Sequence, residues 1–310
     1  YGSDKPDLRN PLLISEVSEI FKRDDVKFEI FKKLVSKGNI VRSIVTKNTI
    51  DRPRSFFDGI DKWARGEGAS GLAYFSFEQS GDKVLGKGTI GKLFSSESIE
   101  ELMKITNAKA GDSIFFACGP KEEVEKILSK ARTKIADDLN LIKEDDFAFC
   151  WIVDYPMYEL DEKTKTIGFS HNPFSMPQGN LDQLDFKNPL NIKAYQYDIV
   201  CNGIELSSGA IRNHKPDLMY KLFEVAGYSK EDVDKEFSGM INAFSFGAPP
   251  HGGIAPGIDR IIMLLANEKN IREVTMFPMN QNAQDLMMEA PSVVRDDQLK
   301  DLNIKLFKKD

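Results

Sequence analysis

The sequence has few of the residues that form disulfides and metal clusters, and it lacks the long apolar runs that form membrane spans. It has 3 cysteines and 3 histidines among 310 residues. The odd number and irregular spacing of Cys118, Cys150 and Cys201 argue against a disulfide framework or a zinc site and favour a reducing cytosol. No stretch approaches the roughly 18 to 20 uninterrupted apolar residues that a membrane helix needs. These absences predict a cytoplasmic protein that does not enter a membrane.

Length and charge narrow the possibilities further. A chain of 310 residues with 41% hydrophobic composition is long enough for about two globular domains. Its 42 basic and 48 acidic residues give a net charge of -6, which is the wrong sign for a protein that grips nucleic acid over its whole surface. Any contact with RNA must therefore be local. The opening residues, 1–6, carry no signal-peptide pattern, and we expect the sequence to begin inside a longer protein.

The first region, residues 14–140, alternates short apolar runs with charged helical patterns, which predicts an α+β domain. Segments rich in β-branched and aromatic residues predict strands at residues 40–46, 71–77 and 113–117. Helical spacing of apolar residues predicts helices at residues 27–36, 97–106 and 121–139.

The second region opens with the apolar segment 147–153. Further strand-like segments at 195–201 and 209–212 are expected to be its neighbours in an antiparallel sheet. Between them, residues 170–191 form a polar loop with several prolines, of the kind that covers a site. Two helices are predicted to follow. The first has Pro216 in its first turn and Gly227 at its end, and the second is capped by Ser229 and Asp232.

The most specific motif is the glycine-rich segment 247–260, which leads into an apolar helix at 261–266. Glycines at 252, 253 and 257 let the backbone pass close to a bulky ligand. Arg260 presents a planar, permanently charged group where the helix begins, which suits a triphosphate or the face of a purine.

Segment 194–212 contains two acidic residues and an arginine, spaced seven positions apart. Asp198 and Glu205 could reach one cation if Asn202-Gly203 bends the chain, and their hard oxygen ligands would suit Mg²⁺. A buried arginine partner is the alternative explanation. Arg212 could hold a carboxylate through two hydrogen bonds, although an arginine on a strand is more often a surface residue or a structural ion pair.

A third element is His171, at the start of the proline-containing loop. With so few histidines, no HExxH motif and no nucleophile elbow, a catalytic triad or zinc cluster has no support. His171 is interpreted as a hydrogen-bonding residue on a movable loop, or as an ordinary loop residue, rather than as a catalytic base.

Together, in order and spacing, these three segments resemble the catalytic core of bacterial aspartyl-tRNA synthetases. Residues 1–10 are similar to the link that precedes the inserted domain of that family. The resemblance implies an α+β fold in which an antiparallel sheet of the class II type is flanked by helices. It also implies three parts: a lead-in at 1–11, an inserted α+β domain of the GAD type at 12–143, and the C-terminal part of the catalytic domain at 144–310.

The resemblance also implies roles for residues. Segment 247–260 is similar to the third class II signature, which implies ATP contacts from Gly257, Ile258, Asp259 and Arg260. Glu205 would meet ATP and its magnesium, with Asp198 as a second acid nearby. Arg212 would hold the aspartate side chain and His171 would close over the amino acid. No residue would act as a general base, because the reaction needs positioning and charge neutralisation.

The implied activity is aspartate-tRNA ligation, with ATP as substrate, Mg²⁺ as cofactor, tRNA(Asp) and L-aspartate as partners, and a homodimer as the complete enzyme. Because the anticodon-binding barrel and the first two class II signatures of the family have no counterpart here, we expect this chain alone to be inactive. The chain departs from the family pattern at Asn172, Ser207, Ser208 and Pro256.

Three alternatives remain open at this stage. The chain could belong to a synthetase for asparagine or lysine, although Arg212 favours aspartate. It could belong to a ligase that also charges tRNA(Asn). It could instead be a fragment or paralogue that binds tRNA or a partner without catalysis.

Overall fold

The structure is a computed structural model that describes residues 1–161 and 163–307. The described strands are β1 (Ile14–Glu16), β2 (Ile40–Thr46), β3 (Ala73–Ser80), β4 (Lys83–Lys87), β5 (Ser113–Gly119), β6 (Phe149–Ile152), β7 (Tyr158–Leu160), β8 (Ile167–Phe169), β9 (Gln196–Cys201), β10 (Ile204–Ile211) and β11 (Gly252–Pro256). The described α-helices are α1 (Glu29–Val35), α2 (Arg54–Gly66), α3 (Ser96–Thr106), α4 (Lys121–Asp138), α5 (Pro216–Val225), α6 (Lys230–Ser245), α7 (Ile258–Leu265) and α8 (Asp296–Asp301).

The first sheet has five antiparallel strands in the order β1-β2-β5-β3-β4. Its central strand, β5, is apolar on both faces, because Phe115 belongs to one core cluster while Ile114 and Phe116 belong to another. Helices α2 and α4 cover the face of Phe115, and α1 and α3 cover the opposite face. A strand that is buried on both sides needs a continuous apolar run, and β5 supplies one.

The second sheet has four antiparallel strands in the order β11-β10-β9-β6. Strands β9 and β10 form a hairpin whose two turn residues, Asn202 and Gly203, both have positive φ (53° and 82°). Such a turn matches the twist of the paired strands and favours the Asn-Gly sequence. The pairing register shifts between Glu205 and Ser207, which is the irregularity of a β-bulge. The hairpin therefore sets which side chains of segment 194–212 face the same side.

Helices α5 and α6 follow the second sheet. Ser229 and Asp232 form the capping box of α6, in which each side chain accepts a hydrogen bond from the backbone N–H of the other residue. Pro216 occupies the first turn of α5, where a missing N–H is tolerated. Every helix among the described residues is too short or too polar to cross a bilayer.

The α+β fold class, built from antiparallel sheets flanked by helices, is confirmed. The predicted strand at 40–46 matches β2 at both ends. Three predictions were wrong by three residues or more at one end. Strand β10 begins at Ile204 rather than at 209, α7 begins at Ile258 rather than at 261, and β3 ends at Ser80 rather than at 77. Helix α2 and strands β1, β4, β7, β8 and β11 were not predicted. The domain boundaries at 11/12 and 143/144 stay a prediction.

Candidate functional site

The β9–β10 hairpin, the start of the loop at 170–191 and the opening segment of the chain meet around one cleft of about 340 Å³. Four residues singled out from the sequence line it: His171, Asp198, Glu205 and Arg212. The other lining residues are Asp4, Lys5, Tyr155, Asn172, Gln196, Ser208 and Gly209. The residues interpreted as ligands of an amino acid and of a metal ion therefore lie together, although 41 positions in sequence separate His171 from Arg212.

Asp198 is the more buried of the two acids. Its side chain is 6% exposed, and its Oδ2 accepts a hydrogen bond of 2.6 Å from the hydroxyl of Tyr155. Burial raises the pKa of Tyr155 well above its ordinary value, and the bond to Asp198 raises it further. Tyr155 therefore stays protonated and keeps the Asp198 carboxylate oriented in the cleft.

Glu205 lies between two cations. The Nη1 atom of Arg260 donates to the Glu205 main-chain oxygen at 2.8 Å and to its Oε1 at 3.3 Å. Lys5 Nζ lies 3.5 Å from the other carboxylate oxygen, Oε2. The alternative explanation for the acids was a buried arginine partner. Glu205 has an arginine partner in Arg260, but that side chain is about half exposed.

The start of α7 fixes Arg260 in this position. The Gly257 N–H donates to the main-chain oxygen of Leu206 at 2.7 Å, which ties the helix start to β10 beside Glu205. Arg260 reaches Glu205 from the first turn of α7, but none of the four motif residues Gly257, Ile258, Asp259 and Arg260 lines the cleft itself. Their predicted ATP contacts would be made beside the cleft.

The carboxylates suit Mg²⁺ in kind. Asp198 and Glu205 supply hard oxygen ligands to the same cleft. The described residues contain no group of three or more His, Cys, Asp or Glu side chains placed to hold a metal ion. Mg²⁺ is commonly bound through one or two carboxylates, with water and substrate phosphates completing the coordination. The donor set therefore fits a magnesium ion that arrives with a nucleotide.

Arg212 lies just beyond the end of β10, with its backbone anchored on both sides. Its N–H donates to the His251 carbonyl at 2.9 Å, and the residue forms an isolated bridge with Ser175. Its guanidinium makes no salt bridge with any residue in 1–161 or 163–307. A half-buried cation without a carboxylate partner is available to a carboxylate that enters the cleft.

His171 is exposed at the rim of the cleft. Its ring meets the ring of Tyr155 edge to face, with 4.9 Å between the centroids. The neighbouring residue, Asn172, accepts a hydrogen bond at its main-chain oxygen from Gln196 Nε2 at 3.2 Å. The start of the loop is therefore tied to β9, while the His171 side chain remains accessible at the rim.

Several cleft residues were missed from the sequence. Tyr155 belongs to the Asp-Tyr-Pro sequence that directly follows the predicted strand at 147–153, and nothing in that pattern indicates a contact with Asp198. Asp4 and Lys5 lie about 200 residues before Glu205. The opening segment was part of the family resemblance, and this was the one signal that could have directed attention to it.

Comparison with known proteins places these residues in context. The chain is 73% identical over 306 residues to the aspartate--tRNA(Asp/Asn) ligase of Pelagibacter ubique (strain HTCC1062), covering 99% of this chain and 51% of that protein. It is 55% identical over 310 residues to the ligase of the same name from Rickettsia bellii (strain OSU 85-389), with coverage of 99% and 51%. The corresponding protein of Gluconobacter oxydans (strain 621H) is 55% identical over 306 residues, with coverage of 99% and 50%.

The chain thus spans about half the length of the curated relatives it matches. The model of the family described as tRNA synthetases class II (D, K and N) matches residues 1–281. That match takes in both sheets and the whole of the cleft. The chain belongs to the class II tRNA synthetases of the D, K and N group.

Proposed function

We propose that this chain supplies the aspartate site and part of the ATP site of an aspartate-tRNA ligase. The observation that carries the proposal is Arg212, a cation in the cleft without a carboxylate partner among the described residues. The names of the relatives and their identity of up to 73% support the same activity. Because the chain spans about half of those relatives, we expect it to be inactive by itself.

In the proposed reaction, an α-carboxylate oxygen of aspartate forms a bond to the α-phosphorus of ATP while the bond to the bridging oxygen breaks. The electrons of the broken bond leave with pyrophosphate. A terminal ribose hydroxyl of the tRNA then attacks the acyl carbon of the aspartyl adenylate, the bond from that carbon to the phosphate oxygen breaks, and AMP leaves as its phosphate takes up the hydroxyl proton. In the activation step the attacking carboxylate is already ionised, so the protein has to position reactants and neutralise charge rather than remove a proton.

Each site residue has a proposed part in this reaction. Arg212 pairs with the side-chain carboxylate of aspartate, and His171 closes over the bound amino acid from the rim. Arg260, with Gly257, Ile258 and Asp259 beside it, contacts ATP, and its hydrogen bonds to Glu205 hold both residues in place. A magnesium ion bound through Asp198 and Glu205 would neutralise phosphate charge.

Selection of aspartate over asparagine follows from the chemistry of Arg212. A carboxylate can pair with the guanidinium through two charge-assisted hydrogen bonds, whereas a neutral amide offers one acceptor and places an N–H group against other donors. Loss of a charged hydrogen bond costs about 1.5–3 kcal/mol, which corresponds to a preference of about tenfold to more than a hundredfold.

The remaining parts of the proposal concern partners and organisation. The substrate tRNA is tRNA(Asp), and the names of the relatives favour tRNA(Asn) as a second substrate. We propose a homodimer in the cytoplasm as the working form of the complete enzyme. The five-stranded sheet and its helices lie within the proposed inserted domain, 12–143, and the four-stranded sheet lies within the catalytic part, 144–310.

The test is ATP–pyrophosphate exchange by the full-length gene product that carries this chain, with aspartate, asparagine and lysine compared. Exchange that depends on aspartate alone is expected. Exchange with asparagine or lysine would reassign Arg212, and no exchange with any of them would favour a non-catalytic binding protein. Substitution Glu205→Gln should weaken the dependence on magnesium, and an unchanged magnesium titration would reject Glu205 as a ligand.

A further inference from the structure

The opening segment, residues 3–12, is built into the molecule between α4 and the turn of the β9–β10 hairpin. On the hairpin side, a Cβ at Gly203 would lie 3.5 Å from the Asp7 Cβ and 3.7 Å from the Lys5 carbonyl oxygen, so the turn touches the segment. The guanidinium of Arg9 donates two hydrogen bonds to the Asp7 carboxylate, from Nε to Oδ1 at 3.0 Å and from Nη2 to Oδ2 at 2.7 Å. These bonds restrain the segment locally. This arrangement directs Asp4 and Lys5 into the cleft.

Lys5 lines the cleft and supplies it with a positively charged side chain. Its Nζ lies 2.7 Å from Asp4 Oδ2 and 3.5 Å from Glu205 Oε2, and its side chain is 38% exposed. A lysine amine carries a positive charge at neutral pH. Lys5 therefore carries a positive charge on the Glu205 side of the cleft, which is the side proposed for ATP.

Arg132, from the middle of α4, holds the other end of the segment. It is only 4% exposed, and its guanidinium donates to the main-chain oxygens of Leu12 at 2.6 Å, Asn10 at 2.6 Å and Asp7 at 2.8 Å. The Asn10 side chain returns a bond of 2.9 Å to the Arg132 carbonyl. A buried guanidinium is costly unless its donors are satisfied, and here the backbone of one segment accepts three of its hydrogen bonds.

We propose that Lys5 binds a phosphate oxygen of the nucleotide, and that Arg132 is a positioning residue that holds the Lys5 segment at the cleft. This inference rests on the proposed function, because it takes the ligand beside Glu205 to be ATP. The inference gives the five-stranded sheet and the helices packed on it, together called the five-stranded sheet unit, a role in the reaction. Through α4, this unit sets the position of a substrate-binding side chain about 130 residues away in sequence.

The first arm of the test is steady-state ATP–pyrophosphate exchange by the full-length gene product. Lys5→Met should raise the KM for ATP by about tenfold to a hundredfold, the change that corresponds to one charged hydrogen bond, and leave the KM for aspartate within about twofold. Lys5→Arg should restore much of the loss. A KM for ATP within twofold of wild type in Lys5→Met would overturn the role of Lys5.

The second arm separates positioning from simple destabilisation. Arg132→Lys keeps the positive charge and a single donor nitrogen, whereas Arg132→Met removes the charge and every donor. Both variants should have a raised KM for ATP, and the increase should be larger for Arg132→Met. In the Lys5→Met background the same changes should raise it no further. Equal increases in both backgrounds would overturn the positioning role. The matched control is Arg42→Met, which removes two ion pairs of the same unit, with Glu16 and Glu125, whereas the described residues show no hydrogen bond or ion pair from Arg42 to residues 3–12.

A third arm keeps this inference apart from the proposed function. Lys5 is acylated with an amine-reactive reagent, with and without magnesium-ATP, and the modification is quantified by mass spectrometry. Protection by ATP, reduced in both Arg132 variants, is expected whether or not aspartate is activated. Failure of wild type to exchange with any amino acid would contradict the proposed function, whereas absence of protection would contradict the role of Lys5.

Discussion

Replacing Gly209 with alanine tests the close approach of β10 and β11, which brings the start of α7 beside Glu205. A Cβ at position 209 would lie 2.3 Å from the Gly253 carbonyl oxygen, 2.5 Å from Tyr197 Cε2 and 3.1 Å from Ile254 Cα. Two of these three atoms belong to the backbone of β11 and cannot rotate away. The strands would have to separate, and the cleft, which Gly209 lines, would change with them.

The expected cost is that of overpacking, about 1–3 kcal/mol. A cost of 1 kcal/mol lowers Tm by about 2–4 °C in a domain of 150–250 residues, so the Tm should fall by roughly 2–12 °C. The matched control is Gly253→Ala on the partner strand, where an added Cβ meets no atom within 4 Å. This control should lie within about 1 kcal/mol of wild type, because alanine there mainly restricts the unfolded chain.

The assay is thermal unfolding of both variants and wild type, followed by far-ultraviolet circular dichroism, under identical conditions. A Gly209→Ala variant as stable as Gly253→Ala would refute the reasoning. It would mean that β11 does not lie as close to β10 as the structure places it, and the link from Gly257 to Leu206 would then lose its support.

Three further predictions concern other parts of the molecule. Ser229→Ala should lower the free energy of unfolding by about 1 kcal/mol, since it removes both Ser229 side-chain bonds of the capping box with Asp232, and urea denaturation that shows no change would contradict the cap. Tyr155→Phe should cost about 1.5–3 kcal/mol at neutral pH, because Asp198 loses a charged hydrogen bond. The raised pKa of Tyr155 means that this stabilisation is complete below about pH 10, the ordinary tyrosine value, and is lost as pH rises above it. The difference in the free energy of unfolding between wild type and Tyr155→Phe should therefore shrink as the pH rises from 9 to 11. A difference that stays constant over this range would contradict the prediction. Removal of residues 12–143 from the full-length gene product, with a short linker in their place, should leave exchange activity measurable, with a KM for ATP raised as in Lys5→Met; collapse of the fold would show that the unit is not separate.

The fold was predictable where one local pattern determines one element. Strand β2 could be placed because five of its seven residues are β-branched, and the start of α6 because Ser229 and Asp232 form a local cap. Strand β10 was placed too short because three of its first five residues, Glu205, Ser207 and Ser208, are polar. They are held in the sheet by pairing with β9 rather than by their own propensity. Helix α2 was missed although Phe57, Ile60 and Ala64 mark its buried face at helical spacing.

The candidate site was predictable only in part. Its motif residues could be named because their spacing resembles that of a family. The contacts that join them could not, since Tyr155 meets Asp198 and Lys5 meets Glu205 only through the tertiary arrangement. The expectation that Asp198 and Glu205 would share a cleft depended on the Asn202-Gly203 turn. That turn has the positive φ angles that its sequence favours.

The most direct test of the account is the effect of Arg212→Ala on aspartate-dependent ATP–pyrophosphate exchange by the full-length gene product, measured together with equilibrium binding of ATP. Loss of the only contact proposed for the aspartate side chain should reduce kcat/KM for aspartate by about a hundredfold or more, while the Kd for ATP changes by no more than about twofold. Equal losses for aspartate and ATP, or unchanged exchange with aspartate, would contradict the account.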